Sequence, residues 1–502
     1  MALANLSLAL LWGGVASLLV YIVALRITAW NRLRHIPGPF GVGWSKLWIF
    51  RHTFAGNLCL VTKAVCEKYG PITRIAPDWV IINDPAEVRR IWSVHSGYRR
   101  SDWYKGFRFD PGKDSILTNV DNKEHHKRRT LVLPAYVGKG LNDRETLIDE
   151  QMVKFIALVE RKYLSDRTVV RPMEMGQTFQ YLTQDATSAV EFGKAFGYVE
   201  ADSDFYGAIE ALEGMMFPCA LVCLVPELAT LMNTSFVKSL LPQPTDKHGI
   251  GRLVGLIKER VAERYGDAKV KNNDVLQRFV ESGLTQSEVE AESMVHLLGG
   301  SDTTAMAMRT AVFFICTNPS VCRRLQEEIE VVAKTVTRPV IADSEAKQMR
   351  YLQACIKEAL RIWPPITGVM TKTSNKDDVI CGVKVPAGTN VAWTAFGVMR
   401  NKALFGEDAE LFEPRRWLEA DPDRLKEMEA TQGLVFAAGT RWECLGKSMA
   451  YMELGKVLFE LFLRYDFSMT NPAKPFEWVN VGFTVHEHMN VTITRRESGS
   501  GT

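Results

Sequence analysis

Neither sign of charge dominates this chain: 61 Lys and Arg face 58 Asp and Glu over 502 residues, a formal charge of only +3. Nucleic-acid binders carry a strong basic excess or stripe, so nucleic acid is not an expected partner. The nine cysteines lack close paired spacing, which argues against a disulfide framework and leaves an odd thiol to explain. There is no internal repeat and no low-complexity block. With 46% hydrophobic and 24% charged residues, the composition is that of a globular protein with a large core, which excludes disorder, collagen and coiled coil.

Charge is also missing locally. No residue from Ala2 to Leu25 is charged, and such a run makes a helix of roughly 36 Å, enough to cross a bilayer core. A cleaved signal peptide needs a basic start, whereas the first charge here is Arg26, so a retained transmembrane anchor is expected. Arg26, Arg32 and Arg34 then place the remainder on the cytosolic side. Ile36-Pro37-Gly38-Pro39 cannot continue a helix. The expected organisation is an anchor over 1–25, a basic and Pro/Gly-rich linker over 26–39, and one globular domain over 40–502.

From about residue 140 helical periodicity outweighs strand alternation. Short strand-like pieces such as Trp79 to Ile82 and Val383 to Gly388 are too few for a large sheet, so the body is expected to be mainly α with a smaller β subregion. Met215 to Leu241 is unusually apolar. Ordinary core is the default reading there, and a membrane-dipping surface near a substrate entrance is the alternative.

Thr285-Gln286-Ser287-Glu288 is a capping box, and a helix-compatible stretch follows to Asn318, before Pro319. Its centre reads Gly299-Gly300-Ser301-Asp302-Thr303-Thr304. Two glycines inside a helix cost roughly 2 kcal/mol relative to alanine, so something must require them. They permit close approach of another group, beside which Asp302 and Thr303 offer a carboxylate and a hydroxyl for proton delivery. A kink with a satisfied buried Asp is the plainer reading.

Near the C-terminus stands Phe436-Ala437-Ala438-Gly439-Thr440-Arg441-Trp442-Glu443-Cys444-Leu445-Gly446, followed by apolar residues at helical spacing. Cys444 therefore falls at a loop-to-helix junction, where free backbone NH groups and the helix dipole favour a thiolate, the metal-ligating form. A small buried apolar cysteine is the alternative for that residue alone. The adjacent His125 and His126 point apart on a helix and lack an acidic or thiol cluster, so no metal site is expected there.

These features together resemble the cytochrome P-450 family over nearly the whole chain. The heme loop of that family has Phe, Gly, Arg, Cys and Gly in fixed order, and its long helix carries Gly-x-Asp-Thr. Glu358-Ala359-Leu360-Arg361 is similar to its Glu-x-x-Arg pair. Phe412 to Trp417 resembles its Phe-x-Pro-x-Arg-Trp element, which implies a buried network of Glu358, Arg361 and Arg416. His125 to Arg129 is similar to its Trp-x-x-x-Arg helix, with His125 at the Trp position and Arg129 as the candidate for a heme propionate. Ala437 stands where Gly is frequent. Arg441 and Phe436 each lie one residue farther from Cys444 than usual, so the loop carries one extra residue, with Trp442 or Glu443 expected to bulge outward. The anchor and the Arg-Trp-Glu-Cys-Leu-Gly loop look most like fungal microsomal members of the pisatin demethylase type.

The resemblance implies a P-450 fold behind one transmembrane helix, in the endoplasmic reticulum membrane with the catalytic domain facing the cytosol. It implies heme b with its iron on Cys444, and Arg129, Arg441, His125, Phe436, Gly439 and Gly446 around the cofactor. It further implies a monooxygenase that uses O2 on a lipophilic small molecule in secondary metabolism. Electrons would come from NADPH through a separate NADPH-cytochrome P-450 reductase, with cytochrome b5 as an optional donor. Asp302 and Thr303 become the catalytic acid and alcohol. His296, Gly299, Gly300, Ile366, Val369 and Phe483 are the expected pocket residues, although a core histidine is the more ordinary reading of His296. The alternatives are a heme-thiolate isomerase, dehydratase or peroxide-driven enzyme, and a non-catalytic heme- or sterol-binding membrane subunit.

Overall fold

Thr285 caps a helix that runs from Gln286 to Cys316, and the body is arranged around it. The capping box is reciprocal: Thr285 Oγ1 accepts from the Glu288 NH, and Glu288 Oε2 accepts from the Thr285 NH at 2.8 Å. Against this long helix pack the helices Met175–Phe192, Arg350–Ile362 and Lys447–Arg464. The computed structural model describes residues 2–138, 143–265 and 272–497.

Met175–Phe192 is buried along nearly its whole length although it carries Gln180, Thr183, Gln184, Asp185, Thr187, Ser188 and Glu191. Local hydrogen bonds satisfy much of this polarity. Thr183 and Ser188 bond back to carbonyls one turn earlier, and Asp185 accepts the NH groups of Gly197, Tyr198 and Val199. Burial of such groups is tolerable only when they are paired in this way.

The smaller β region contains a five-stranded sheet in the order Ile72–Ala76, Trp79–Ile82, Asn390–Trp393, Lys372–Thr373, Arg99–Arg100. Its register places Arg100 opposite Lys372 in an antiparallel pair. Two like charges so placed repel, which later identifies what that edge is for.

On Arg350–Ile362, Arg361 donates from Nε and Nη2 to both Glu358 oxygens at 2.8 Å, and Arg416 Nε reaches Glu358 Oε1 at 2.9 Å. Trp417 Nε1 donates to Glu358 Oε2, while Arg361 also holds the carbonyls of Met399, Ala409 and Leu411. Glu358 and Arg361 are fully buried, so this is not a solvated surface pair.

The apolar N-terminal run belongs to a helix, Ala2–Arg32, that continues past the expected end at residue 25 and through the first part of the expected linker. The helix terminus docks on the body: Arg74 donates to the carbonyls of Ala29 and Trp30, and Arg32 donates to Ala387 O and Thr389 Oγ1. Among the described residues no helix is long and apolar enough to cross a membrane. The side chains of residues 2–11, 18, 19 and 22, within the expected anchor, lie outside the described set. The apolar stretch Met215 to Leu241 divides. Met216 and Leu224 join the core, whereas Leu231, Phe236 and Leu240 are exposed, because short helices broken near Pro226 cannot turn every apolar side chain inward.

Glu453, on Lys447–Arg464, faces a small cavity lined by Ile148, Met152, Leu182 and Met308, and its Oε2 has no partner. Burial alone pushes its carboxyl up to about 8. A carboxyl whose pKa is raised on folding loses its stabilising share as pH climbs through the folded value. Thermal unfolding between pH 7 and 9 should therefore show the native protein losing Tm relative to Glu453→Gln; a Tm difference that stays flat over that range refutes the assignment.

Candidate active site

The cysteine loop begins with a single turn of helix, Gly433–Phe436, and reverses at Ala437, whose φ of 49° is left-handed. Glycine adopts that conformation freely, while an alanine there carries strain of about 1 kcal/mol. The turn is held by Ala438 N on Gly433 O, by Thr440 Oγ1 on Ala437 O and by Trp442 N on Thr440 Oγ1. Phe436 O accepts the Cys444 NH at 2.8 Å, which closes the loop across its extra residue, and the Phe436 ring packs on Tyr451. Of the two residues expected to bulge outward, Trp442 turns inward and Glu443 stays partly exposed. Trp442 is buried with its ring under Lys372 Nζ at 4.0 Å.

Cys444 presents exposed surface while protein crowds its thiol, so that burial is the largest influence and pushes the pKa up. The backbone NH groups of Gly446 and Lys447, at the start of Lys447–Arg464, and the Arg129 guanidinium pull it down. A Cβ on Gly446 would have Cys444 Sγ as its nearest neighbour, at 3.9 Å, and a Cβ on Gly439 would meet nothing within 4 Å. The sulfur thus stands beside open space at a helix N-terminus, with donors that favour the thiolate.

On the long helix the two glycines do different work. A Cβ on Gly300 would come within 2.8 Å of Thr187 Oγ1, so that glycine allows the helix to close on Met175–Phe192. At Gly299 a Cβ would meet nothing within 4 Å, and the residue is exposed although its helix runs through the core. Thr303 Oγ1 donates to Gly299 O at 2.7 Å, at the edge of this gap. The Asp302 carboxylate turns the other way, to the side-chain amide of Gln180, which is held in turn by Arg309 at 2.6 Å. Burial raises the Asp302 pKa to about 6, opposed by Arg309 and the Gln180 hydrogen bond.

Four cations converge around His125: Arg100, Arg129, Lys372 and Arg441. Burial first, and these charges next, hold His125 far below its ordinary pKa, as a neutral ring. Lys372 is fully buried and driven well below its usual value, with its Nζ donating to Tyr104 OH at 2.6 Å. Arg129 donates to Glu443 O at 2.7 Å, and Arg441 to the carbonyls of Val94 and Ser96. Among the described residues none of the four forms an ion pair with Asp or Glu, and Arg100 Nε, Arg441 Nε and Trp442 Nε1 have no hydrogen-bond partner. Cations without an acidic partner and with donors to spare, Arg100 and Lys372 buried and Arg129 and Arg441 half-buried, call for an anion. The two carboxylates of a heme would fit that need, and Cys444 beside its open space would supply the thiolate to the iron.

Arg100 and Lys372 are site residues that sequence reading did not single out. Each sits in a two-residue strand, and only the register that pairs those strands reveals their convergence on Arg129 and Arg441. Of the expected pocket residues, Ile366 forms a backbone bridge with Phe483, and Phe483 packs on Phe107 with ring centroids 5.9 Å apart. Val369 is buried at a left-handed φ of 56°. His296 is buried, with Nδ1 at 3.0 Å from Glu191 Oε2 and its ring against Tyr136, in the manner of a core histidine. Among the described residues no group of three or more His, Cys, Asp or Glu is placed to hold a metal ion, the His125 and His126 pair included.

A cysteine at a helix start, a cation cradle and a gapped helix define a heme-thiolate protein. The family model for cytochrome P450 matches residues 37–490, and the chain belongs to that family, whose fold is the mainly helical body with a smaller sheet region seen here. The chain is 36% identical over 494 residues to cytochrome P450 monooxygenase ABA1 of Pyricularia oryzae, an alignment covering 96% of both proteins. It is 32% identical over 474 residues to cytochrome P450 monooxygenase aba1 of Botryotinia fuckeliana, covering 93% of this chain and 92% of the relative. To cytochrome P450 monooxygenase abl1 of Leptosphaeria maculans it is 32% identical over 483 residues, covering 92% and 83%.

Replacing Lys372 by Met removes the ammonium that would face a propionate while keeping an unbranched apolar side chain of similar length. Loss of a charge-assisted hydrogen bond should weaken heme retention by about tenfold or more, with Lys372→Arg close to native. Heme transfer to a scavenging apoprotein measures it, and equal retention by native protein and Lys372→Met would remove Lys372 from the cradle.

Proposed function

We propose that this protein inserts one oxygen atom from O2 into a lipophilic small molecule, as a heme-thiolate monooxygenase of fungal secondary metabolism. The observation that carries the reading is the meeting of four unpaired cations beside a cysteine at a helix N-terminus. When bound, heme b supplies O2 activation, helped by electron donation from its thiolate ligand. The NH groups of Gly446 and Lys447 and the Arg129 guanidinium favour the thiolate form of Cys444 against its burial, and Arg100, Arg129, Lys372 and Arg441 would hold the cofactor by its carboxylates.

On the long helix, Thr303 keeps oxygen lone pairs free while donating to Gly299 O, so it can accept a hydrogen bond from a water or a protonated oxygen in the gap. Asp302, with a pKa of about 6, exchanges protons near neutral pH. Its carboxylate delivers inward when it leaves Gln180 and turns toward the gap. The acid and alcohol favour oxygen insertion over an isomerase, a dehydratase, a peroxide-driven reaction or a binding subunit, none of which needs them.

Residence on the endoplasmic reticulum membrane, with the catalytic body in the cytosol, is part of the same proposal. The exposed apolar side chains Trp12, Val15, Val20, Val23, Leu25 and Ile27 on the first helix support it, as do Leu231, Phe236 and Leu240. Electrons then come from NADPH through a separate reductase, with cytochrome b5 as a second donor.

Incubation of membranes carrying this protein and a reductase with lipophilic extracts and NADPH, read by mass spectrometry, tests the reading. A gain of one oxygen that disappears in Cys444→Ala is expected. Products formed without NADPH, or without added oxygen, would overturn it. Thr303→Ala should raise NADPH consumed per product several-fold, and unchanged coupling would deny Thr303 its role.

A further inference from the structure

Thr53 lies on the helix Leu47–Phe54 and is 1% exposed, yet its hydroxyl has no hydrogen-bond partner. It borders a small, mainly apolar cavity lined by Leu58, Trp103, Cys223, Val369 and Phe483 among others, where the Trp103 indole NH and the Cys223 thiol are the other polar groups on side chains. An unpaired hydroxyl in such surroundings is costly. A water is a poor remedy, because a buried water needs two to four polar partners and, beyond the hydroxyl itself, the lining side chains offer only the Trp103 NH and a weak thiol.

The cavity also has a direction. Val369 stands three residues before Lys372 of the cation group, and Phe483 forms a backbone bridge with Ile366, both of them residues expected to line the reaction pocket. On the other side, Phe54 follows Thr53, is half exposed, and stacks on Phe217 with ring centroids 6.0 Å apart and planes within 8°. Phe217 belongs to the apolar stretch whose later residues Leu231, Phe236 and Leu240 are exposed. The lone hydroxyl therefore stands between an apolar outer rim and the pocket.

On the monooxygenase reading above, we propose that Thr53 is a specificity residue that binds the single oxygen function, an alcohol, carbonyl or carboxyl, of an otherwise apolar substrate. The apolar body then extends from this oxygen toward the pocket, so oxidation falls on carbon remote from the existing polar group. Thr53 touches no reacting atom and sets only which molecules bind and which end is presented.

The test uses full-length heme-loaded protein and a matched series of probes, the primary alcohols from octanol to tetradecanol and the alkanes of the same length. Binding is read from the shift of the ferric heme absorption band. Thr53→Val, which keeps the shape and removes the hydroxyl, should weaken alcohol binding by about three- to tenfold and leave the alkanes unchanged. Thr53→Ser should stay within about twofold of native for the alcohols. Equal weakening of both series, an unchanged alcohol affinity, or no response to any alcohol would each overturn the assignment. A carbon monoxide spectrum of native protein without thiolate ligation would sink the monooxygenase reading itself. An intact spectrum with an unmoved Thr53→Val sinks only the role of Thr53.

Discussion

Four positive side chains held together without a carboxylate is the constraint that organises this molecule. Burial of Arg100 and Lys372 is costly and their mutual repulsion adds to it, which is why the Lys372 pKa falls well below its usual value. The four come from separate places: Arg100 and Lys372 from paired strands, Arg129 from the helix Asn122–Val137, and Arg441 from the cysteine loop. Only the finished tertiary structure brings them into one place, and only an anion makes that place favourable. Heme binding and completion of the fold are therefore linked, since a ligand that binds the native state alone stabilises it.

A second buried charge cluster makes the contrast. Glu358 takes hydrogen bonds from Arg361, Arg416 and Trp417, while the guanidinium groups find carbonyls at 399, 409 and 411 and the Asp408 carboxylate. Charges and donors there are answered within the protein, so the cluster ties loops together and asks for no ligand. Both clusters are rich in arginine and both are buried. What separates a structural role from a binding role is whether the counter-charge is present, and that is a property of three-dimensional pairing.

This difference sets what could be read from residues alone. The capping box, the glycine pair, the cysteine loop and the Glu358, Arg361 and Arg416 elements are local patterns, legible as written. The mainly helical body with a small sheet was legible for the same reason, because periodicity is local. Arg100 and Lys372 were not singled out, since two-residue strands have no period and their register depends on residues hundreds of positions away. Which of Trp442 and Glu443 turns outward is not legible from the loop alone, because the Trp442 ring packs against Lys372 of a distant strand. The N-terminal run was legible as a helix, but its continuation to Arg32 was not, because contacts from Arg74 and to Ala387 and Thr389 stabilise that end.

The two central glycines show how one local pattern can hide two physical causes. From the residues alone both glycines read as permitting the close approach of another group, or as a kink, since roughly 2 kcal/mol of helix propensity is given up there. The structure divides the debt: Gly300 answers to Thr187 on the neighbouring helix, and Gly299 to the open gap beside Thr303. Close packing at Gly300 brings the long helix against Met175–Phe192, which is the helix that supplies Gln180 to Asp302. The glycine with no ligand to admit therefore still serves the site, by setting the distance between the acid and the amide that holds it. The gap, the alcohol and the acid are consecutive features of one helix, but the position of the acid is decided by the helix next to it.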